Sequence, residues 1–277
     1  MMIEVENIVN SLDGTKIAYY TYGKGANLVI IPGNNRMTHN YNKLCAYLEN
    51  DFTVHIIERR GRGKSDTQGN NYSIQSEVED LKAVLKETGA TYVFGHSYGG
   101  LIALQAASSG TTISKLSAYE PGVSIKGSFN GSWIPEFKEL VNRNKQVKAT
   151  ALFLKETKLS PISSLPAPLL NAFSYVLLSG KSGKEMRDMM DTTPNELDEI
   201  IRLDSNGERY KSIKSDTLLL GGAKTPKYLT DVLPILSALI PHASHKIMNG
   251  LDHNAPDLNE PEQIAKELKL FFINGIN

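Results

Sequence analysis

The segment 91–110, TYVFGHSYGGLIALQAASSG, contains Gly95-His96-Ser97-Tyr98-Gly99, a Gly-x-Ser-x-Gly string. Tyr92-Val93-Phe94 reads as the end of a strand, and Leu101-Ile102-Ala103-Leu104 opens a helix of apolar and small residues. A serine on so sharp a strand-to-helix turn projects its hydroxyl clear of the backbone. That requires neighbours without Cβ atoms, which Gly95 and Gly99 supply. The start of the following helix offers unpaired N–H groups and the positive end of a dipole, suited to a developing oxyanion. Residues of this kind in this order would attack a carbonyl carbon through the serine oxygen.

A serine hydroxyl is a weak nucleophile until a base takes its proton. Six histidines are available. His96 lies inside the turn, where its ring should point away from the hydroxyl, and His55 falls within a strand as a core or face residue. His39, His242 and His245 flank turns or strands and read as solvated. His253 stands in the polar loop Gly250-Leu251-Asp252-His253-Asn254-Ala255-Pro256, after the last strand.

Positioning such groups requires a rigid sheet. Strands are expected at 2–9, 16–22, 27–31, 52–58, 91–95, 114–120, 215–220 and 243–248. Continuous apolar runs such as 28–31 predict strands buried on both faces, as in a parallel sheet. Between them, 73–88 sets Ile74, Val78, Leu81 and Leu85 on one helical face, with Ser73 as N-cap and Gly89 as stop. A final helix begins at Pro261 and repeats Ile264, Leu268 and Phe271. Strands alternating with helices predict an α/β fold with right-handed crossovers. From 122 to 212 the rhythm breaks into helical pieces, 134–144, 146–157, 167–179, 183–190 and 194–203. The last opens with what reads as a capping box, Thr193-Pro194-Asn195-Glu196. The expected layout is one α/β core, 1–121 plus 213–277, interrupted by a helical cap, 122–212, over the carboxyl edge of the sheet. Cap residues Leu152, Phe153, Leu154, Leu169, Leu170, Phe173, Tyr175, Val176, Met186, Met189 and Met190 form apolar faces that should mostly pack the cap against the core rather than line a pocket, with Met189-Met190 able to form a pliable wall.

Over nearly its whole length the chain resembles the α/β-hydrolase fold superfamily: a mostly parallel eight-stranded sheet flanked by helices, with a helical cap insertion. Ile31-Pro32-Gly33-Asn34-Asn35 stands where that superfamily carries its oxyanion loop, with Pro32 in place of the usual His. The resemblance implies an oxyanion hole from the backbone N–H groups of Asn34 and Tyr98, and a base at His253. Glu58-Arg59-Arg60-Gly61-Arg62-Gly63-Lys64-Ser65 resembles the superfamily's Arg-Gly-x-Gly-x-Ser turn. The orienting acid departs from the commonest pattern: Thr225 occupies the place after the penultimate strand where Asp is usual. The other known position, the end of the strand after the elbow helix, holds Glu120, as in haloalkane dehalogenases, with Asp252 and Asp231 as alternatives. Asn34 also resembles the asparagine that helps hold halide in those enzymes, but they use a carboxylate nucleophile and Ser97 is not one. The resemblance therefore implies a serine esterase acting through an acyl-enzyme. Thioester, lactone or C–C cleavage is compatible, as is a ligand receptor or signalling protein built on the same fold.

Composition narrows the surroundings. The 277 residues carry 30 Lys and Arg against 30 Asp and Glu. That balance argues against nucleic acid or an anionic membrane as partner and in favour of a small, weakly charged substrate. The single Cys45 excludes an internal disulfide and a cysteine zinc site, and no metal or organic cofactor is implied. Glu4 and Glu6 stand in an N-terminus without a cationic region followed by an apolar stretch, so no signal peptide and a cytoplasmic location are expected. Oligomeric state is not fixed by any of these features.

Overall fold

The computed structural model describes residues 5–274. The first three positions of the strand expected at 2–9 lie outside that range. β-Branched and aromatic runs form β1 (Val5–Asn10), β2 (Lys16–Gly23), β3 (Ala26–Ile31), β4 (Phe52–Ile57), β5 (Tyr92–His96), β6 (Lys115–Tyr119), β7 (Asp216–Gly222) and β8 (Ala243–Met248). They join in one eight-stranded sheet, ordered β1-β2-β4-β3-β5-β6-β7-β8. β2 runs antiparallel to β1 and β4, and every pairing from β4 through β8 is parallel. Ile31 pairs with Gly95, Gly95 with Ala118, and Tyr119 with Leu220. The carboxyl ends of β3, β5, β6 and β7 therefore stand side by side, which brings the segments after residues 31, 96, 119 and 222 to one edge.

Helices cover both faces. Helix α1 (Asn42–Leu48) lies on one face together with α11 (Pro261–Asn274), where Leu44, Leu48, Ile264, Leu268 and Phe272 form the core. The opposite face carries α2 (Ile74–Thr88), α3 (Tyr98–Ser108) and α10 (Val232–Leu239), packed through Val78, Leu81, Leu101, Ile102, Leu233 and Leu236. Gly89 ends α2 in the left-handed region, as expected from its lack of a Cβ. Ser73, expected to cap α2, makes no capping bond; the N–H of Ile74 instead donates to a carboxylate from far along the chain, Glu199 Oε2, at 2.8 Å.

Between β6 and β7 run α4 (Ile134–Asn142), α5 (Gln146–Thr157), α6 (Ala167–Leu177), α7 (Gly180–Met190) and α8 (Thr193–Arg202). A short α9 (Lys227–Thr230) follows β7. Trp133, Ile134, Phe137, Leu178, Met190 and Leu197 give the insert a hydrophobic cluster of its own. Glu196 does not complete a capping box. Its side chain is fully buried and faces the arginines that follow β4.

Candidate active site

Ser97 sits at the start of α3 with φ 53° and ψ −119°, a backbone conformation that L-residues adopt only under constraint. The constraint is visible. Ser97 N–H donates to Tyr119 O at 2.9 Å, and Ser97 O accepts from the N–H groups of Gly100 and Gly122, both at 2.9 Å. A Cβ on Gly95 would lie 2.4 Å from Gly99 O, and one on Gly99 would lie 2.1 Å from Ile31 O. No residue other than glycine fits either position while the turn keeps its shape. Asn35 and Glu120, beyond the neighbouring strands β3 and β6, also have positive φ, 51° and 45°.

Glu120 is fully buried. Its backbone N–H donates to Leu220 O at 2.8 Å, its Oε1 accepts from Gly222 N–H at 2.6 Å, and its Oε2 lies 2.6 Å from His253 Nδ1. Flanked by that amide, the carboxylate accepts from the ring, so Nδ1 carries the proton of this bond and Nε2 points away from Glu120. The other acids are differently engaged. Asp252 accepts from Asn254 N–H at 2.8 Å and from Asn259 Nδ2 at 2.9 Å, and Asp231 is exposed at the junction of α9 and α10. Thr225 is buried with its hydroxyl unpartnered.

His96 has a structural task that its place in the turn did not reveal. Its Nε2–H donates to His253 O at 2.9 Å, and its Nδ1 accepts from Tyr41 OH at 2.7 Å, while Tyr41 OH accepts from Gly33 N–H at 3.1 Å. The carbonyl can only accept, so the ring is the neutral Nε2–H tautomer. Burial, with His253 beside it at 4.9 Å between ring centroids, holds its pKa well below the usual histidine value. One chain of hydrogen bonds thus connects the loop after β3 to the backbone that carries His253.

The turn after β4 supplies a buried ion cluster. Arg59 Nε donates to Glu77 Oε2 at 2.6 Å, Arg59 NH2 lies 3.0 Å from Glu196, and Arg62 NH2 donates to Glu196 at 2.6 Å. Arg62 NH1 donates to Gly33 O at 2.8 Å, and Asn34 Nδ2 donates to Glu196 Oε2 at 2.7 Å. Two cations and two anions balance, as burial of this depth demands. Burial alone would raise the Glu77 carboxyl, but its bonds to Arg59 and Tyr72 outweigh that and hold it below the ordinary value. The Arg59 guanidinium also lies over the Tyr98 ring, 4.7 Å from its centroid. Arg62 and Glu196 are 134 residues apart in the chain, which is why no local sequence pattern announces this cluster.

Ser97, His253, Asn34 and Tyr98 line one cavity of about 420 Å³. Its remaining wall is mostly apolar and comes from the insert, including Phe129, Phe137, Phe153, Leu154, Phe173, Leu177, Met186, Met190 and Ile200. Of the insert residues singled out from the sequence, Phe153, Leu154, Phe173, Met186 and Met190 reach the cavity; Leu170 and Met189 are buried elsewhere, and Leu169, Tyr175 and Val176 face outward. A polar rim adds Asn35, Arg36, Asn254 and Asp257, in which Arg36 pairs with Asp257 and donates to Asn254 Oδ1 at 2.8 Å. Cys45 is buried in the face packed by α1 and α11. Among the described residues no group of three or more His, Cys, Asp or Glu is placed to hold a metal ion.

Comparison with known proteins extends the description. The family model of the serine aminopeptidases, S33, matches residues 24–248. An α/β hydrolase from Sphaerobacter thermophilus is 26% identical, covers 96% of this chain and 100% of its own, and superposes with a TM-score of 0.80. A Rhodococcus esterase is 20% identical with a TM-score of 0.72, covering 98% of this chain and 99% of its own. A curated relative from Shewanella oneidensis, a cis-3-alkyl-4-alkyloxetan-2-one decarboxylase, is 28% identical over 102 residues, 34% of this chain and 31% of that protein. A family model that spans most of the chain, on a sheet of this order, gives its kinship: the chain belongs to the serine aminopeptidase S33 family of α/β hydrolases.

Proposed function

We propose that this hydrolase cleaves small or medium carboxylic esters with an apolar acyl group, through an acyl-enzyme on Ser97. The observation that carries the reading is the 2.6 Å contact of His253 Nδ1 with the buried Glu120 carboxylate, in the cavity that also holds the strained Ser97. Ser97 Oγ attacks the ester carbonyl as His253 Nε2 takes its proton. Glu120 fixes the tautomer of His253 and stabilises the imidazolium. The N–H groups of Asn34 and Tyr98 donate hydrogen bonds to the tetrahedral oxyanion; loss of one such donor costs about 3–4 kcal/mol in comparable sites. His253 then protonates the leaving alcohol, water attacks the acyl-enzyme, and the same base carries the second proton. The apolar wall from the insert favours an acyl chain over a charged group.

A fluorophosphonate probe combined with a panel of p-nitrophenyl esters tests this. Rapid labelling that Ser97→Ala abolishes, with turnover of the esters, is the expected result. Labelling without turnover of any panel member would instead fit a ligand receptor on the same fold. Because the Shewanella relative acts on an oxetan-2-one, a cyclic ester, the panel includes a lactone; a thioester, a β-diketone and an aminoacyl p-nitroanilide cover the remaining bonds. Glu120→Gln should lower kcat by about 10⁴-fold. Near-normal turnover in that variant would move the acid role to another carboxylate.

A further inference from the structure

Helix α6 is apolar on both sides. Leu170 and Ser174 face inward and are buried, whereas Leu169, Phe173 and Val176, at i, i+4 and i+7, share the outward face. Leu169 is 56% exposed, Val176 68% and the neighbouring Tyr175 67%. A helix of a water-soluble surface keeps polar residues on its outer face. Here the whole stretch 159–180, LSPISSLPAPLLNAFSYVLLSG, contains no charged residue.

The surroundings of this face say what would cover it. Along the sequence the uncharged stretch is bracketed by Lys155 and Lys158 on one side and by Lys181 and Lys184 on the other, all exposed, with Lys184 paired to Asp188 at 2.6 Å. A groove beside Tyr175 is lined by Lys145, Lys148 and Arg187. Residues 145–187 hold seven basic side chains against two acidic ones, Glu156 and Glu185, in a chain whose total charge is zero. The overall balance that argued against an anionic membrane thus conceals a local cationic surplus around an apolar ridge. An apolar ridge with a basic margin matches the two layers of a bilayer surface, acyl chains below and anionic headgroups above. α6 has eleven residues, and no helix among the described residues is long and apolar enough to cross a membrane, so the helix would lie in the plane of the surface. The ridge is also continuous with the cavity. Phe173 and Leu258, 39% and 63% exposed, line the cavity and the surface at once.

We infer that the outward face of α6 is a docking surface for an anionic lipid bilayer, with Leu169, Phe173 and Val176 entering the acyl layer and the flanking lysines meeting headgroups. Docked in this way, the cavity opens toward the lipid. That the lipid also supplies the ester rests on the proposed function; the docking itself does not.

The test is flotation of the full chain with vesicles of phosphatidylcholine alone and of phosphatidylcholine mixed with phosphatidylglycerol. Binding to the mixed vesicles, at least about tenfold stronger than to the neutral ones, is expected from roughly 1 kcal/mol per lysine near an anionic surface. Leu169→Ser with Val176→Ser should weaken that binding at least about tenfold, from the loss of two buried apolar side chains. Lys155→Glu with Lys181→Glu should abolish the preference for anionic vesicles while sparing the circular dichroism spectrum. Neither pair lines the cavity, so turnover of a water-soluble ester provides a check on folding. No flotation with either vesicle, or flotation unchanged by Leu169→Ser with Val176→Ser, overturns the inference. So does a dimer in solution that the same pair dissociates, since the face would then belong to a second copy. A chain that floats but hydrolyses no ester would leave the docking surface standing and remove the proposed function.

Discussion

Helices α8 and α6 belong to the same insert and line the same cavity, yet they are held by different forces. α8 is tied to the core by directional bonds. Glu196 meets Arg59, Arg62 and Asn34; Thr193 Oγ1 donates to Asn35 Oδ1 at 2.9 Å; and Glu199 accepts the first N–H of α2. α6 has no charged residue and is held by apolar packing on one side. Buried ionic contacts are exacting about geometry, whereas apolar contacts tolerate sliding and substitution. The difference assigns the two walls distinct duties. α8 fixes the loop that carries Asn34, while α6 supplies an apolar part of the cavity wall, through Phe173 and Leu177, that tolerates substitution.

The sharpest way to break this contrast is Glu196→Gln. It leaves Arg59 and Arg62 buried with Glu77 as their one remaining carboxylate, and should cost about 3–5 kcal/mol in urea unfolding. A loss below 1 kcal/mol would mean that α8 is not fixed by charge. Acid separates core from insert next, because all six histidines lie outside 122–212. Burial lowers the His55 pKa to about 4, and burial with His253 alongside lowers that of His96 well below normal. Both folded values are below the unfolded value near 6.5, so the unfolded chain binds more protons as pH falls through 6.5 toward 4. Stability is therefore full above about 6.5 and declines below it. His96 contributes about 1.4 kcal/mol per pH unit at most and the more screened His55 less. Urea midpoints between pH 7 and pH 5 would show this slope, and His55→Gln should flatten it; an unchanged slope would remove His55 from the account. The smallest effect is expected in α6. Phe173→Ala should move the ester preference toward longer acyl chains by about tenfold in kcat/KM, with about 1 kcal/mol or less of lost stability. Equal destabilisation by Phe173→Ala and Glu196→Gln would erase the distinction between the two walls.

Much of the fold is local information, and that part was legible. The β-branched runs locate β2 through β8 to within two residues, and β1 over its described part, and the glycines around Ser97 mark a turn that admits no Cβ. Glu120 comes forward from the resemblance, which places an acid at the end of the strand after the elbow helix, and the structure sets its Oε2 2.6 Å from His253 Nδ1. What the sequence hid is long-range. Glu196 three residues after Thr193 looks like a capping partner, and only the fold shows Arg62 opposite it. Ser73 looks like an N-cap until Glu199 arrives from the insert. The place of His96 in the turn predicts a ring pointing away from the Ser97 hydroxyl, but its bond to the His253 carbonyl depends on how β8 and its loop return to the sheet. The outward face of α6 reads from the sequence as cap–core packing, because periodicity locates an apolar face without saying what lies against it.

The positive φ of Ser97, Asn35 and Glu120 has an evolutionary consequence. Each costs on the order of 1–3 kcal/mol relative to a relaxed backbone, and the neighbouring strands hold that strain in place. A glycine at any of the three would relax the backbone and delete a side chain that faces the site. Under the proposed function, selection for a more stable fold and selection for turnover therefore pull these three positions in opposite directions. Gains in robustness are then free to accumulate elsewhere, on surfaces and in the insert, while the strand ends keep their tension.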